Sequence, residues 1–216
     1  MGILSDDDKE EVRKALSGMD DEVTVYVFTQ DGCDTCEDTV ALNEELVELA
    51  DGKIDLQVED LDSEAAEEFD AAKHDNAPVS IITNGNGLKG VQYFGIPAGY
   101  EFSSFLEDII SISNDEVDLD ESIIEEVKAI DEEVNIKVFV TPTCPYCPQA
   151  VRTAHKFAMV NDNITGEMVE SQSFQELAQQ FGVRSVPQIN VNDEANQFTG
   201  ALPDEQYLDE VKKALQ

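Results

Sequence analysis

Ile136-Lys137-Val138-Phe139-Val140-Thr141-Pro142-Thr143-Cys144-Pro145-Tyr146-Cys147 is the stretch that decides how this chain folds. Apart from Lys137, its first six residues are β-branched or aromatic, as in a buried strand. Ala150, Val151, Ala154, Phe157 and Ala158 follow at helical spacing, so the two cysteines fall where a strand gives way to a helix N-terminus. The plan occurs once before: the strand-like Val23 to Thr29 ends just ahead of Cys33-Asp34-Thr35-Cys36, and Val40, Leu42, Leu46 and Leu49 continue helically.

The correspondence extends outward from both motifs. Second strands fit Ile54 to Val58 and Ile164 to Val169, and helices fit Ser63 to Lys73 and Ser173 to Phe181, each serine placed as an N-cap. A proline then directly precedes an apolar strand in each half, Ala77-Pro78-Val79 and Val186-Pro187-Gln188, 42 and 40 residues after the second cysteine. Turn signals follow at Asn84-Gly85-Asn86-Gly87 and Asn192-Asp193-Glu194. Amphipathic helices close the halves near Tyr100 to Ile112 and Asp204 to Leu215, and others open them at Val12, Leu16 and Met19 and at Ile123, Ile124, Val127 and Ile130. The order is helix then βαβαββα, twice, with the acidic stretch Ser113 to Asp120 as the seam. A repeat period near 110 residues predicts two α/β units, 1–114 and 115–216, each a central mixed sheet flanked by helices, and excludes a solenoid.

Two CxxC pairs admit three readings. A shared zinc site usually places its pairs about 15 to 20 residues apart; here 107 residues, Glu37 to Thr143, separate them, so no metal is expected. A purely structural disulfide is uncommon in the cytosol. Thiol redox chemistry fits the placement, because unpaired N–H groups and the positive helix end stabilise a thiolate at the first cysteine. The second thiol, three residues on, can resolve a mixed disulfide with no organic cofactor or metal, the redox-active disulfides themselves carrying the electrons.

Strand, Cys144-Pro145-Tyr146-Cys147, helix and a later Val186-Pro187 before a strand resemble the thioredoxin and glutaredoxin superfamily. The tandem arrangement resembles the archaeal protein disulfide oxidoreductases, which carry two thioredoxin-fold units with a CxxC in each. That resemblance covers nearly the whole chain, and it implies the following. Cys33 and Cys144 are nucleophiles, Cys36 and Cys147 their resolving partners, and Pro145 and Tyr146 border the substrate. Pro78 and Pro187 are the cis-prolines beside each CxxC, with Ala77 and Val186 offering backbone hydrogen bonds to substrate. The activity is exchange on disulfide-containing protein substrates, most simply as a reductase recharged by a thioredoxin-reductase-like flavoprotein. A rival is a dedicated electron carrier to a peroxidase, resembling the tandem module of bacterial peroxiredoxin reductases, although that module keeps one CxxC. A zinc-bound interaction module is the rival of another class. One departure stands out: thioredoxins place a buried carboxylate six residues before the first cysteine, where this chain has Val27 and Val138. Proton transfer must come from elsewhere, and His155 reads as a surface or packing residue.

The second CxxC is expected to be the stronger site on local charge. Asp31, Asp34, Glu37 and Asp38 surround Cys33, whereas Phe139 to Asn161 holds no acidic residue and includes Arg152, His155 and Lys156. Nearby carboxylates disfavour a thiolate.

Composition bounds the rest. With 48 Asp and Glu against 13 Lys and Arg, the formal net charge is −35, split −22 and −13 between the halves. Nucleic acid is excluded as a partner, because phosphate binding needs clustered cations. The acidic N-terminus lacks signal-peptide character, and no apolar run approaches the ~18 residues of a membrane span, so a cytoplasmic protein with no membrane partner is expected. So acidic a surface repels itself unless salt screens it, which points to a high-salt cytoplasm such as a halophile's. Unfolding measured in increasing KCl should show stability rising toward molar salt; unchanged stability would refute that reading.

Overall fold

A computed structural model describes residues 3–85 and 87–216. Met1, Gly2 and Asn86, the last within the expected Asn84–Gly87 turn, lie outside the described residues. The first half runs α1 (Asp6–Leu16), β1 (Val23–Thr29), α2 (Cys36–Leu49), β2 (Ile54–Asp60), α3 (Glu64–Glu68), a 3-10 helix (Ala71–His74), β3 (Val79–Thr83), β4 (Val91–Phe94) and α4 (Glu101–Asn114). The second repeats it with α5 (Glu121–Lys128), β5 (Val134–Val140), α6 (Cys147–Val160), β6 (Ile164–Glu170), α7 (Gln175–Gln180), β7 (Gln188–Val191), β8 (Asn196–Thr199) and α8 (Asp204–Lys213).

The eight strands among the described residues form one mixed sheet in the order β2-β1-β3-β4-β6-β5-β7-β8. The halves join through a parallel ladder from Val91↔Gly166 to Phe94↔Val169. Since β3 is antiparallel to both β1 and β4, and β6 is parallel to both β4 and β5, strands β1, β4, β6 and β5 all point the same way. Their C-terminal ends therefore share one edge of the sheet.

Alternation along the strands sorts side chains between two cores. Val23, Val25 and Val27, with Val134, Ile136, Val138 and Val140, pack under α1, α2, α4, α5, α6 and α8. Phe28, Phe94, Phe139 and Val169 face the other way, against Phe69, Ala71, Phe174 and Ala178 of the α3 and α7 layer.

Two expected helices differ. Ser63 caps α3 by accepting from the Ala66 N–H, but the helix ends at Phe69 and Asp70 turns into the left-handed region at φ 53°. Asp tolerates that conformation, and the redirected chain carries Lys73 and His74 toward the second half. Ser173 is not an N-cap: its N–H and its hydroxyl both donate to Glu170 Oε2, and α7 starts after Phe174. The hairpin turn at Asn192 and Asp193 has positive φ at both residues, 46° and 59°, the geometry that Asn and Asp accept.

A buried carboxylate lies on each face of the joint. On the α4/α6 face Asp108 accepts from Tyr93 and Arg152 and meets His155 Nδ1 at 2.6 Å. On the opposite face Glu167 pairs with Lys73 at 2.9 Å and His74 at 2.8 Å, and accepts from Asn135. Burial pushes both carboxyls up, yet these partners outweigh it and hold both below the usual carboxylate range. A depressed folded value stabilises the fold above the unfolded pKa near ~4, and that stabilisation is lost as pH falls through the folded value.

Glycines permit the close approach. A methyl on Gly90 would lie 2.4 Å from the Ile164 carbonyl oxygen and 3.0 Å from Ala158 Cβ. Gly99, at φ +63°, would put one 2.2 Å from the Pro142 oxygen. Gly90→Ala should therefore lower stability by roughly 1–3 kcal/mol, an overpacking cost. Gly85→Ala, where nothing lies within 4 Å, should stay within ~0.5 kcal/mol, as open surface positions do. Urea unfolding of both variants checks this, and equal midpoints would refute the tight joint.

Candidate active site

Both CxxC motifs sit on the shared sheet edge, at the ends of β1 and β5. In each, the first cysteine closes a tight turn, Cys33 N–H to Gln30 O at 3.4 Å and Cys144 N–H to Thr141 O at 3.1 Å. The second is the first residue of its helix, Cys36 in α2 and Cys147 in α6. The first cysteine thus precedes the helix instead of lying on it, at the mouth of its unpaired N–H groups. Cys33–Cys36 and Cys144–Cys147 are disulfide-bonded, with Cα atoms 5.5 Å apart in each. Cys33 is half-buried, Cys36, Cys144 and Cys147 are buried, Pro145 is exposed, and Tyr146 stands 68% exposed.

Ala77–Pro78 and Val186–Pro187 are cis. Each proline carbonyl accepts from a glycine that follows the neighbouring strand, Gly95 at 2.8 Å and Gly200 at 3.0 Å. The preceding residues differ. The Ala77 N–H is taken by the Asn76 side chain at 3.0 Å, and Asn76 also donates to Ser173 O in the other half. Val186 is half-buried. The β-strand positions Val27 and Val138 are buried and apolar.

The cationic surroundings expected for Cys144 do not survive folding. Arg152 bonds Asp108 and Glu107, Lys156 lies 3.6 Å from Asp204, and His155 is fully buried against Asp108. These carboxylates come from α4 and α8, far away in sequence, and they neutralise what looked like a positive patch. What remains is the helix start: Glu37 and Asp38 occupy the first turn of α2, while that of α6 has no acid.

One residue went unnoticed in the sequence. Glu101 opens α4 and is 1% exposed; Ser104 donates to one of its carboxyl oxygens, and the other, Oε1, has no partner. Burial, with Asp108's charge adding and Ser104 opposing, pushes its carboxyl up to about 8. Its neighbour Tyr100 donates its N–H to Pro142 O at 3.0 Å, two residues before Cys144. The first half thereby places a buried carboxyl next to the residue that bonds the turn ahead of the second CxxC. The signal was there: Glu101 and Asp108 stand on the apolar stripe of Phe105, Ile109 and Ile112, where charge has no reason to be unless it is used or paired.

Among the described residues no group of three or more His, Cys, Asp and Glu is placed to hold a metal ion. No helix there is long and apolar enough to cross a membrane.

Residues 134–213 match a thioredoxin domain model. The crystal structure of a protein disulfide oxidoreductase from Aeropyrum pernix K1 superposes with TM-score 0.85 at 35% identity, over 96% of this chain and 92% of that one. The alkylhydroperoxide reductase AhpF from Enterococcus faecalis gives TM-score 0.85 at 22% identity over 96% and 99%, a likeness of fold. The F component of alkyl hydroperoxide reductase from Staphylococcus aureus is 30% identical over 105 residues, 49% of this chain and 20% of the relative. The chain spans about a third or less of the length of the curated relatives it matches, 35% and 20% for two of them. With both CxxC units inside a relationship that extends over nearly the full length of each partner, the chain belongs to the tandem thioredoxin-fold protein disulfide oxidoreductase family.

Proposed function

We propose that this protein reduces disulfides of protein substrates by dithiol–disulfide exchange, through units 1–114 and 115–216, with the second as the principal site. The observation that carries this reading is the pair of CxxC disulfides on one sheet edge, each preceding a helix and accompanied by an X-cis-Pro segment. In the reduced protein the Cys144 thiolate attacks a substrate sulfur, forming a mixed disulfide and expelling one substrate thiolate. Cys147 then loses its proton and attacks Cys144 Sγ; the second substrate sulfur leaves, and the Cys144–Cys147 disulfide results. Cys33 and Cys36 perform the same cycle. A thioredoxin-reductase-like flavoprotein in the cytoplasm returns the two electrons.

Pro145 and Tyr146, exposed beside Cys144, border the substrate, and the Val186 and Ala77 backbones next to Pro187 and Pro78 pair with its extended segment. The occupied Ala77 N–H and the acidic first turn of α2 favour the second site. The kinship to the F component of alkyl hydroperoxide reductase supports a second reading, a carrier that passes electrons from a flavoprotein to a peroxidase. We propose further that Glu101, whose neighbour Tyr100 bonds the turn before Cys144, exchanges a proton with the second site during resolution, its raised value lying near a thiol's.

Replacing all four cysteines by Ser should abolish reduction of a model protein disulfide, with metal chelators having no effect. Cys144→Ser should cost about tenfold or more beyond Cys33→Ser, and alkylation against pH should show the lower thiol pKa at Cys144. Full activity without cysteines would refute the mechanism; equal losses would refute the ranking. Glu101→Gln should slow resolution of the mixed disulfide by ~10²–10⁴-fold and remove the pH dependence near 8, leaving Cys144 alkylation unchanged. An unaltered pH profile would exclude Glu101 from proton transfer.

A further inference from the structure

The loop that leaves β4 emerges on the shared sheet edge between the two CxxC turns, because β4 lies between β1 and β5 and runs parallel to both. It forms one wall of an apolar groove of 660 Å³. Ile3 and Leu4 ahead of α1, Leu42 of α2, Ala98 and Tyr100 of the loop and Phe102 of α4 contribute to it. That volume falls within the roughly 300–1,000 Å³ of clefts that engulf a ligand. Leu42 ties the groove to the helix that begins at Cys36, and the Tyr100–Pro142 hydrogen bond ties it to the turn before Cys144.

Two observations indicate what it takes. Among the described residues, four large apolar side chains are exposed: Ile3 at 42%, Val58 at 46%, Tyr100 at 54% and Tyr146 at 68%. Three stand here, two in the groove and the third in the second CxxC, on a surface that is otherwise densely acidic. The groove's charged lining residues are Asp8 and Glu11, with no Lys or Arg among them. Its interior thus selects apolar side chains and its rim selects cations.

We infer that this groove is the docking site for an extended segment of the disulfide-bearing protein, apolar with flanking basic residues, which it holds while the cystine reaches a CxxC. A folded protein keeps such side chains inside, so the groove directs the chemistry toward unfolded or misfolded substrates. The inference rests on the function proposed above. Its occupant follows from the charge complementarity of the rim and from continuity with the dithiol edge, where substrate must approach.

Two variants test it: Ile3→Asp, which puts charge at the mouth, and Ala98→Trp, which fills the interior. Each should raise KM for an unfolded, basic, disulfide-containing protein about fivefold or more, equivalent to roughly 1 kcal/mol of lost binding. Each should leave the rate on a low-molecular-weight aromatic disulfide unchanged. An apolar, basic peptide without cysteine should inhibit protein reduction competitively in the wild type and lose that effect in Ala98→Trp. Unchanged KM in both variants, or equal losses on the two substrates, would overturn the inference. So would a wild-type dimer that Ile3→Asp converts to monomer, since the occupant would then be a second copy of this chain. A wild type that reduces the small disulfide but no protein disulfide would instead defeat the functional reading beneath it.

Discussion

Everything in this molecule hangs on the parallel pairing of β4 with β6, because that ladder turns two four-stranded sheets into one and brings both CxxC turns to the same edge. Four paired residues are a short contact, and buried carboxylates secure it on both faces. Asp108 of the first half is bonded by Arg152 and His155 of the second, and Glu167 of the second by Lys73 and His74 of the first. A buried ion pair adds little net stability over an apolar substitute, but stranding one member costs about 3–5 kcal/mol. Any register other than the native one would strand both carboxylates. The pairs thereby specify the joint more than they strengthen it.

The same arrangement explains how the scarce cations are used. The chain has 13 Lys and Arg and 2 His against 48 acids. Both histidines, Arg152, Lys73 and Lys137 lie at or beside the joint, with Lys73 and Lys137 also over the Phe94 and Phe181 rings at 5.3 and 5.6 Å. On the outer surface carboxylates far outnumber cations, and water and salt can screen them. Three of the 13 Lys and Arg are thus placed where desolvation makes each pairing obligatory, and the other ten are spread over the rest of the molecule.

Much of this was legible in the sequence, for a physical reason. Strand alternation, helical spacing and the paired Cys-to-Pro distances are local properties, and they located the three strands before each hairpin turn and most helices within a few residues, though they assigned no residues to β4 or β8. Where local signals misled, a tertiary partner had taken over. Ser173 carries a capping residue's chemistry, yet Glu170 claimed its donors before the helix began. The helix from Ser63 broke at Asp70 because Lys73 and His74 pair with a carboxylate more than 90 residues away. Arg152, His155 and Lys156 formed a basic run only on paper, since charge read along a chain omits the elements folded against it. The joining of two sheets into one was equally hidden, because no local pattern marks which strand edge of one half pairs with the other half.

The duplication also explains why the two sites need not be equal. Glu101 opens the last helix of the first half, and its neighbour Tyr100 bonds Pro142 of the other half. Asp204 opens the equivalent helix of the second half, but α8 packs beside β8, the outermost strand of the sheet, and Asp204 turns inward to Thr153 at 2.7 Å and Lys156 at 3.6 Å. Two similar sequences thus place a helix-opening carboxylate in two environments. The first is dehydrated and lacks a partner for one oxygen, and burial raises its carboxyl to about 8. The second is half-buried and has partners in Thr153 and Lys156. A tandem repeat in a single sheet has an inner and an outer copy of each element, and the inner copy packs against the neighbouring half where the outer one faces the sheet's edge. The different surroundings of Glu101 and Asp204 are therefore built into the way the halves are joined, over and above any difference between CDTC and CPYC.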